Sequence, residues 1–135
     1  MSENCIFCGI VAGDIPSTRV AETDRAIAFM DIAPATPGHL LVIPRAHSTD
    51  LREAAPEDLT AVTLLAQSLV GRVIDRLEGA TGANLLSCIG PDAWQTVFHT
   101  HLHVIPRYPD DPLVLPWQPH SGDLDEIKAV HAKLI

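Results

Sequence analysis

Basic residues are scarce in this chain: nine lysines and arginines stand against seventeen aspartates and glutamates over 135 residues, a formal charge of −8. Proteins that grip long nucleic acids present a basic face that releases counterions from phosphates, so nucleic acid is not an expected partner. A small phosphorylated ligand stays open, because a pocket gathering Arg45, Arg107 and several histidines can be locally positive on an acidic protein. Cysteine is also scarce: Cys5, Cys8 and Cys88 are too few and too unevenly placed for a disulfide framework, and a reducing compartment keeps them as thiols or metal ligands. Long apolar runs are missing as well. None approaches the ~20 residues of a membrane span, and Met1-Ser2-Glu3-Asn4 has neither the basic nor the apolar stretch of a secretion signal. The expectation is a cytoplasmic protein with no membrane partner.

The apolar share, 47%, is ample, and at this length it suits one domain over residues 1–135. Ala26 to Asp31 and His39 to Pro44 read as short strands joined by the turn-forming Ala33-Pro34-Ala35-Thr36-Pro37-Gly38. Pro56, with Glu57 and Asp58 behind it, opens a helix whose apolar positions Leu59, Val62, Ala66, Leu69, Val73 and Leu77 recur at spacings of three and four, predicting helix over 56–78 closed by Gly79 and Gly82. Asn84 to Ile89 reads as a strand leading through Gly90-Pro91-Asp92 to another over 96–105, the two pairing antiparallel. After Arg107 come Pro109, Pro112, Pro116 and Pro119 in an ordered loop, then a closing helix from Asp123 with Leu124, Ile127, Val130 and Leu134 directed inward. Together these make an α+β domain: an antiparallel β-sheet with one long helix and short terminal helices.

His99, His101 and His103 alternate with Thr100 and Leu102, and strand side chains alternate faces, so three imidazoles share one face. Buried polar rings each need a hydrogen-bond partner, which makes such a row hard to explain as packing. Imidazole titrates near neutrality and serves as base, nucleophile or metal ligand. The alternation alone leaves all three open.

The triad, with its approach Gln95-Thr96-Val97-Phe98 and exit Val104-Ile105-Pro106-Arg107, resembles the histidine triad (HIT) family of nucleotide hydrolases and transferases. Four further blocks resemble that family in order: Cys5-Ile6-Phe7-Cys8-Gly9-Ile10, Gly13-Asp14-Ile15-Pro16, Ala28 to Pro34, and Pro37 to His47. The likeness spans residues 5–107; the tail 108–135 carries no family motif. An imidazole nitrogen attacks a nucleoside phosphate more readily than water does, and its phosphorus adduct is then hydrolysed, dividing one hard step into two. Groups beside it must stabilise the phosphoryl oxygens.

The resemblance implies a nucleotidyl-histidine intermediate on His101, with His103 and Thr96 holding phosphate oxygens and His39 supporting the triad from the neighbouring strand. It implies Asp31 on the ribose hydroxyls, Ile6, Phe7, Ile10, Phe29 and Ile32 around a purine base, and Gln95 among the nucleotide contacts. It also implies a structural zinc on Cys5, Cys8, His47 and His99, a closed four-ligand site. Expected substrates are AMP conjugates, either nucleoside phosphoramidates or dinucleoside polyphosphates. A homodimer is implied through the 56–78 helix and the strand after it. The departures are Cys88, where the family commonly has Asn or Gln (Ser87 can substitute), and Trp94, where it commonly has glycine. They keep a second reading in view, a zinc-stabilised purine-nucleotide sensor with little turnover. A third, a hydrolase whose triad ligates a catalytic metal, lacks a further carboxylate ligand after His103. His120, His131, Asp110, Asp111, Asp123, Asp125 and Glu126 read as solvated.

Overall fold

The computed structural model describes residues 4–135. In chain order the elements are α1 (Ile6–Ala12), β1 (Arg19–Glu22), β2 (Ala26–Met30), β3 (Leu40–Pro44), α2 (Pro56–Arg76), β4 (Gly82–Leu86), a 3₁₀ turn (Pro91–Ala93), β5 (Leu102–Arg107) and α3 (Leu124–Leu134). The strands form one sheet in the order β1-β2-β3-β5-β4, and every pairing is antiparallel. The α+β class, the hairpin of β2 and β3, the long helix and the antiparallel pair at the sheet's far side all stand as expected.

Parity organises the two faces. Ala26 and Ala28 of β2, Leu40 and Val42 of β3 and Val104 of β5 bury against Val62, Leu65, Ala66, Leu69 and Val73 of α2. The odd-numbered neighbours Ile27, Phe29, Leu41 and Ile43 bury against Phe7 and Ile10 of α1. Both faces of the central strands are covered, so β2 and β3 read as continuous apolar runs rather than alternating ones. The alanines on the α2 side let the long helix lie close to the sheet.

The register carries this parity to the histidines. Leu41 pairs directly with His103, and Leu40 with Val104, so His103 shares the α1 face. The Asp31 N–H donates to the His39 carbonyl at 3.0 Å, which extends the β2–β3 pairing and puts both of those side chains on that face. The loop between them is pinned from below: the Thr36 hydroxyl donates to the Pro106 carbonyl at 2.6 Å, and the Tyr108 hydroxyl to that of Pro37. Gly38 must be glycine here, since its φ is +89° and a Cβ would collide with Leu77.

Several sequence expectations need correction. The ladder of β5 begins at Leu102, so the expected strand over 96–105 is only half a strand. The Thr100 N–H goes instead to the Ser48 carbonyl at 2.8 Å, and the two hydroxyls meet at 2.6 Å, tying the segment before β5 to the loop after β3. β4 covers 82–86 rather than 84–89, because the Ser87 hydroxyl donates to the His101 carbonyl and the chain then turns through Gly90. Gly82 opens that strand and closes no helix; α2 ends at Arg76. α1, with the Cys5 thiol capping its first turn, and β1 had no segment assigned from sequence. In α3, Leu124, Ile127, Val130 and Leu134 are exposed rather than inward. The sheet faces they would need are already occupied by α1 and α2. Asp111 is not solvated: its side chain is 4% exposed and accepts from both Arg107 Nε (2.8 Å) and Nη2 (2.9 Å). The Arg107 guanidinium beside it, with the Tyr108 and Leu113 N–H groups, holds that carboxyl far below the usual carboxylate range.

Candidate active site and metal centre

Backbone groups fix the rings of His39, His99 and His101 and decide their tautomers, and His39 in turn sets His103. A carbonyl only accepts, so the ring nitrogen facing one must carry the proton. His101 Nδ1 lies 2.7 Å from the His99 carbonyl, which puts its proton on Nδ1 and leaves a lone pair on Nε2. His99 Nε2 lies 2.9 Å from the Pro44 carbonyl, so the His99 lone pair is on Nδ1. His39 is set the opposite way. The Ala35 N–H donates to its Nδ1 at 2.9 Å, leaving the proton on Nε2, which faces His103 Nδ1 at 2.9 Å. His103 accepts there and keeps its own proton on Nε2. One residue of the row thus offers a nucleophilic nitrogen, one a ligand nitrogen and one an N–H donor.

His101 and His103 open into a cavity of about 290 Å³ on the α1 face. Its wall includes Ile6, Phe7 and Ile10 of α1, Phe29 near the end of β2, Asp31 and Ile32 just beyond it, and Thr96. Nine of the residues implied by resemblance therefore converge on one space. Phe7 is the wedge: its ring stands edge-on to Phe29, His99 and His101, with centroids 5.5, 5.9 and 5.1 Å away. Ile15, Pro16 and Ser17 also line the cavity and were given no role from sequence, although Gly13-Asp14-Ile15-Pro16 marked a family block. A Cβ on Gly9 would run into Ile15, so that glycine lets the chain after α1 fold back as the cavity wall.

Gln95 stands apart from this cavity. Its carboxamide donates to the Thr49 and Val97 carbonyls and accepts from the Gly90 N–H, so it braces the loop that delivers Thr96. His39 backs His103 from behind rather than lining the space. Arg45 is held by Glu22 and the Thr23 carbonyl, and Arg107 by Asp111, Asn84 and Leu113, so neither makes the pocket positive. Cys88 is buried, and Trp94, 70% exposed, takes a left-handed φ of 70° after the 3₁₀ turn; neither lines the cavity.

On the other side of Phe7, Cys5, Cys8, His47 and His99 point at a common centre. Four ligand atoms lie within 4.8 Å of one another. Cys5 Sγ is 3.4 Å from His99 Nδ1, Cys8 Sγ 3.3 Å from His47 Nδ1 and 3.5 Å from His99 Nδ1, and the two Nδ1 atoms are 3.3 Å apart. Zinc bonds of about 2.3 Å to sulfur and 2.0–2.1 Å to nitrogen give tetrahedral edges of roughly 3.3–3.8 Å, so the donor set fits a closed four-coordinate ion. The Pro44 carbonyl on His99 Nε2–H is the outer hydrogen bond such a ligand uses. Asp31, His39 and His103 form a second close group, yet the protons assigned to them point to hydrogen bonding within it. His101 belongs to neither group, so the row does not converge on one ion as the third reading needs.

A sheet face that sends one imidazole to a cysteine cluster and two to an apolar cavity defines a histidine triad domain. Residues 12–110 match the HIT domain family model, and the chain belongs to the HIT family. It is 37% identical over 128 residues to adenosine 5'-monophosphoramidase hnt1 of Schizosaccharomyces pombe, an alignment covering 94% of this chain and 92% of that protein. The crystal structure of a HIT family member from Bacillus subtilis superposes with a TM-score of 0.89 at 36% identity, covering 98% of this chain and 95% of that one. A zinc-bound histidine triad family protein from Mycobacterium smegmatis gives 0.78 at 37% identity, covering 97% and 95%.

Burial lowers the pKa of His39, His99 and His101, and pushes that of His103 down to about 4, with the His101 and His39 rings adding to the effect and Asp31 opposing it. As pH falls below about 6.5 the unfolded chain takes up a proton at residue 103 that the folded protein refuses until about pH 4, so stability falls across that window. Denaturant midpoints at pH 7 and pH 4.5 check this. His103→Asn keeps an acceptor for His39 and should lose less stability between the two pH values than the parent; an equal loss would show that His103 is not a source of the slope.

Proposed function

We propose that the protein is a nucleotide hydrolase or transferase acting on AMP conjugates through a nucleotidyl-histidine intermediate. The observation that carries this reading is the His101 ring, locked by the His99 carbonyl so that an unprotonated Nε2 remains on the wall of the cavity. The base enters the slot of Ile6, Phe7, Ile10, Phe29 and Ile32, whose aromatic faces accept any purine. Asp31 takes the ribose hydroxyls: its carboxylate accepts the Ala33 N–H at 2.8 Å and retains free lone pairs. His101 Nε2 then attacks phosphorus, a nitrogen–phosphorus bond forms and the bond to the leaving group breaks. The departing electron pair takes a proton from water. His103 Nε2–H and the Thr96 hydroxyl bind the phosphoryl oxygens as their charge grows. In the second step water attacks phosphorus, displaces His101 Nε2, releases AMP and gives its proton to solvent.

Charge favours a phosphoramidate over a dinucleoside polyphosphate. Among the described residues no lysine or arginine lines the cavity, and Asp31 is there already. A leaving group carrying several phosphate charges would meet no counter-charge, whereas an amine leaves no charge behind. The similar Schizosaccharomyces pombe protein, named as an adenosine 5'-monophosphoramidase, supports the same choice. Acid quench with adenosine phosphoramidate labelled at phosphorus should trap label on His101. His101→Ala should lose about three orders of magnitude or more in kcat while still binding AMP, and near-normal turnover would overturn the assignment.

We infer zinc at Cys5, Cys8, His47 and His99, supported by the donor spacing and by the zinc-bound relative. When bound, the ion supplies a clamp and no reactive water, since four protein ligands close it. It ties the start of α1 to the loop after β3 and to His99, the residue whose carbonyl orients the nucleophile. Protein prepared without added zinc should contain about one ion per chain by elemental analysis, and Cys5→Ala should lose it and melt lower; metal-free parent protein would sink the inference.

A homodimer completes the reading. Leu64 on α2 is 60% exposed, and Leu85 and Leu86 lie exposed on β4, an edge strand with unpaired backbone groups. A second copy covering this helix and edge would bury both. Sedimentation at micromolar concentration should give twice the chain mass, and a monomer there would refute it.

A further inference from the structure

The α2 side of the sheet holds a smaller cavity, of about 160 Å³, with no part in the chemistry above. α2 packs chiefly on β2, β3, β4 and β5 and leaves β1 at the margin. The space there has an aliphatic floor: Leu40, Leu69 and Val73 are buried, and Val20, Met30 and Leu77 half-buried. Met30 is the one residue it shares with the triad cavity. Arg72 and Arg76 complete its lining, one helical turn apart on α2. Their charges are unspent. Among the described residues, Arg19, Arg25, Arg45, Arg52 and Arg107 are each held by a carboxylate, and Arg72 and Arg76 by none, on a chain whose seventeen acidic residues outnumber its nine basic ones. Like charges at i and i+4 on a helix repel. The end carbonyls of α2 account for a cation at Arg76 in the last turn, and not for a second one a turn earlier.

We propose that this cavity binds a medium-chain alkyl carboxylate, with the chain on the aliphatic floor and the carboxylate on Arg72 and Arg76. Valine, leucine and methionine walls offer methyl groups and no ring to stack on, which suits an alkyl chain. The volume equals the liquid share of about five waters, room for a chain of roughly five or six carbons. A guanidinium fork matches the two oxygens of a carboxylate, and its hydrogen bonds to that charge are stronger than those to a neutral amide. The protein as a whole repels anions, so the attraction comes from these two side chains. β1 and β4 are opposite edges of the sheet, so the proposed dimer, which uses β4, leaves this cavity open.

The test follows methyl resonances of the full-length protein, isotope-labelled at leucine and valine, through titrations with butanoate, hexanoate and hexanamide. Leu69 and Val73 line this cavity alone and Leu41 the triad cavity alone, so the first two should shift saturably with hexanoate while Leu41 stays in place. Lengthening the chain from butanoate to hexanoate should tighten binding about tenfold. Hexanamide, of the same shape without the charge, should bind about tenfold more weakly than hexanoate. Arg72→Gln combined with Arg76→Gln should bring hexanoate down to the affinity of hexanamide and leave hexanamide unchanged. Arg76→Gln alone, at an exposed position, should give a smaller loss in the same direction with unfolding temperature unaltered. Equal affinities for hexanoate and hexanamide in the parent, hexanoate binding that the arginine variants leave unchanged, or the absence of Leu69 and Val73 shifts overturns the proposal. Shifts of Leu69 and Val73 on concentrating the protein without ligand also overturn it, because they put a second copy in the cavity.

Discussion

The pairing of Leu41 with His103 is the constraint on which the site depends. Strand side chains alternate, so a register slip of one residue would send His103 to the α2 side and Val104 into the cavity. What prevents the slip is the covering of both faces. Leu40 and Val42 fill the space under α2, Leu41 and Ile43 the space under α1, and neither set fits the other side. The hydrophobic cores thus act as the alignment device for the polar site. Asp31, His39 and His103 reach one face because the apolar residues between them leave no alternative.

Backbone groups then assign the chemistry. Three histidines meet main-chain partners, His101 the carbonyl of His99, His99 that of Pro44 and His39 the amide of Ala35, and the fourth, His103, is set in turn by the ring of His39. Each partner is part of a turn or strand end that packing holds in place. Burial alone would leave the rings neutral with either nitrogen protonated. The hydrogen bonds choose which nitrogen, and so leave a lone pair on His101 Nε2, an N–H on His103 Nε2 and a lone pair on His99 Nδ1 facing the cysteines. His99 joins the two halves, since its ring faces the cysteines while its carbonyl sets His101. A metal ion held by Cys5 and Cys8, as proposed, would for this reason also clamp the proposed nucleophile.

Much of this was legible in the sequence because it rests on local spacing. The alternation of His99, His101 and His103 gave the shared face even though two of them precede the β5 ladder, since extended chain alternates whether or not it is paired. The apolar spacing of α2 gave both its length and its buried side. The features that stayed hidden depend on partners far along the chain. Asp111 looks like any acidic loop residue until Arg107 closes on it. Gln95 reads as a ligand contact from its place beside Thr96, but its amide is taken by Thr49, 46 positions away. In α3 the spacing identified the apolar side correctly and said nothing about what covers it, because periodicity encodes a face and not its neighbour.

That difference bears on where specificity resides. The cavity that His101 and His103 open into is walled partly by core residues, which packing constrains and which, on the proposed function, a nucleotide would constrain as well. Phe7, Ile10 and Phe29 belong to the fold as much as to the cavity, whereas Ile6 beside them is 54% exposed. Phe98, Thr49 and Trp94 are exposed residues that no core requires. Substitutions at such positions cost little stability, so they can change while the sheet and its two cores remain as they are. That contrast between a wall fixed by packing and exposed residues at its margin follows from the fold itself, because the braced loop ends at Thr96, where the segment leading to β5 begins.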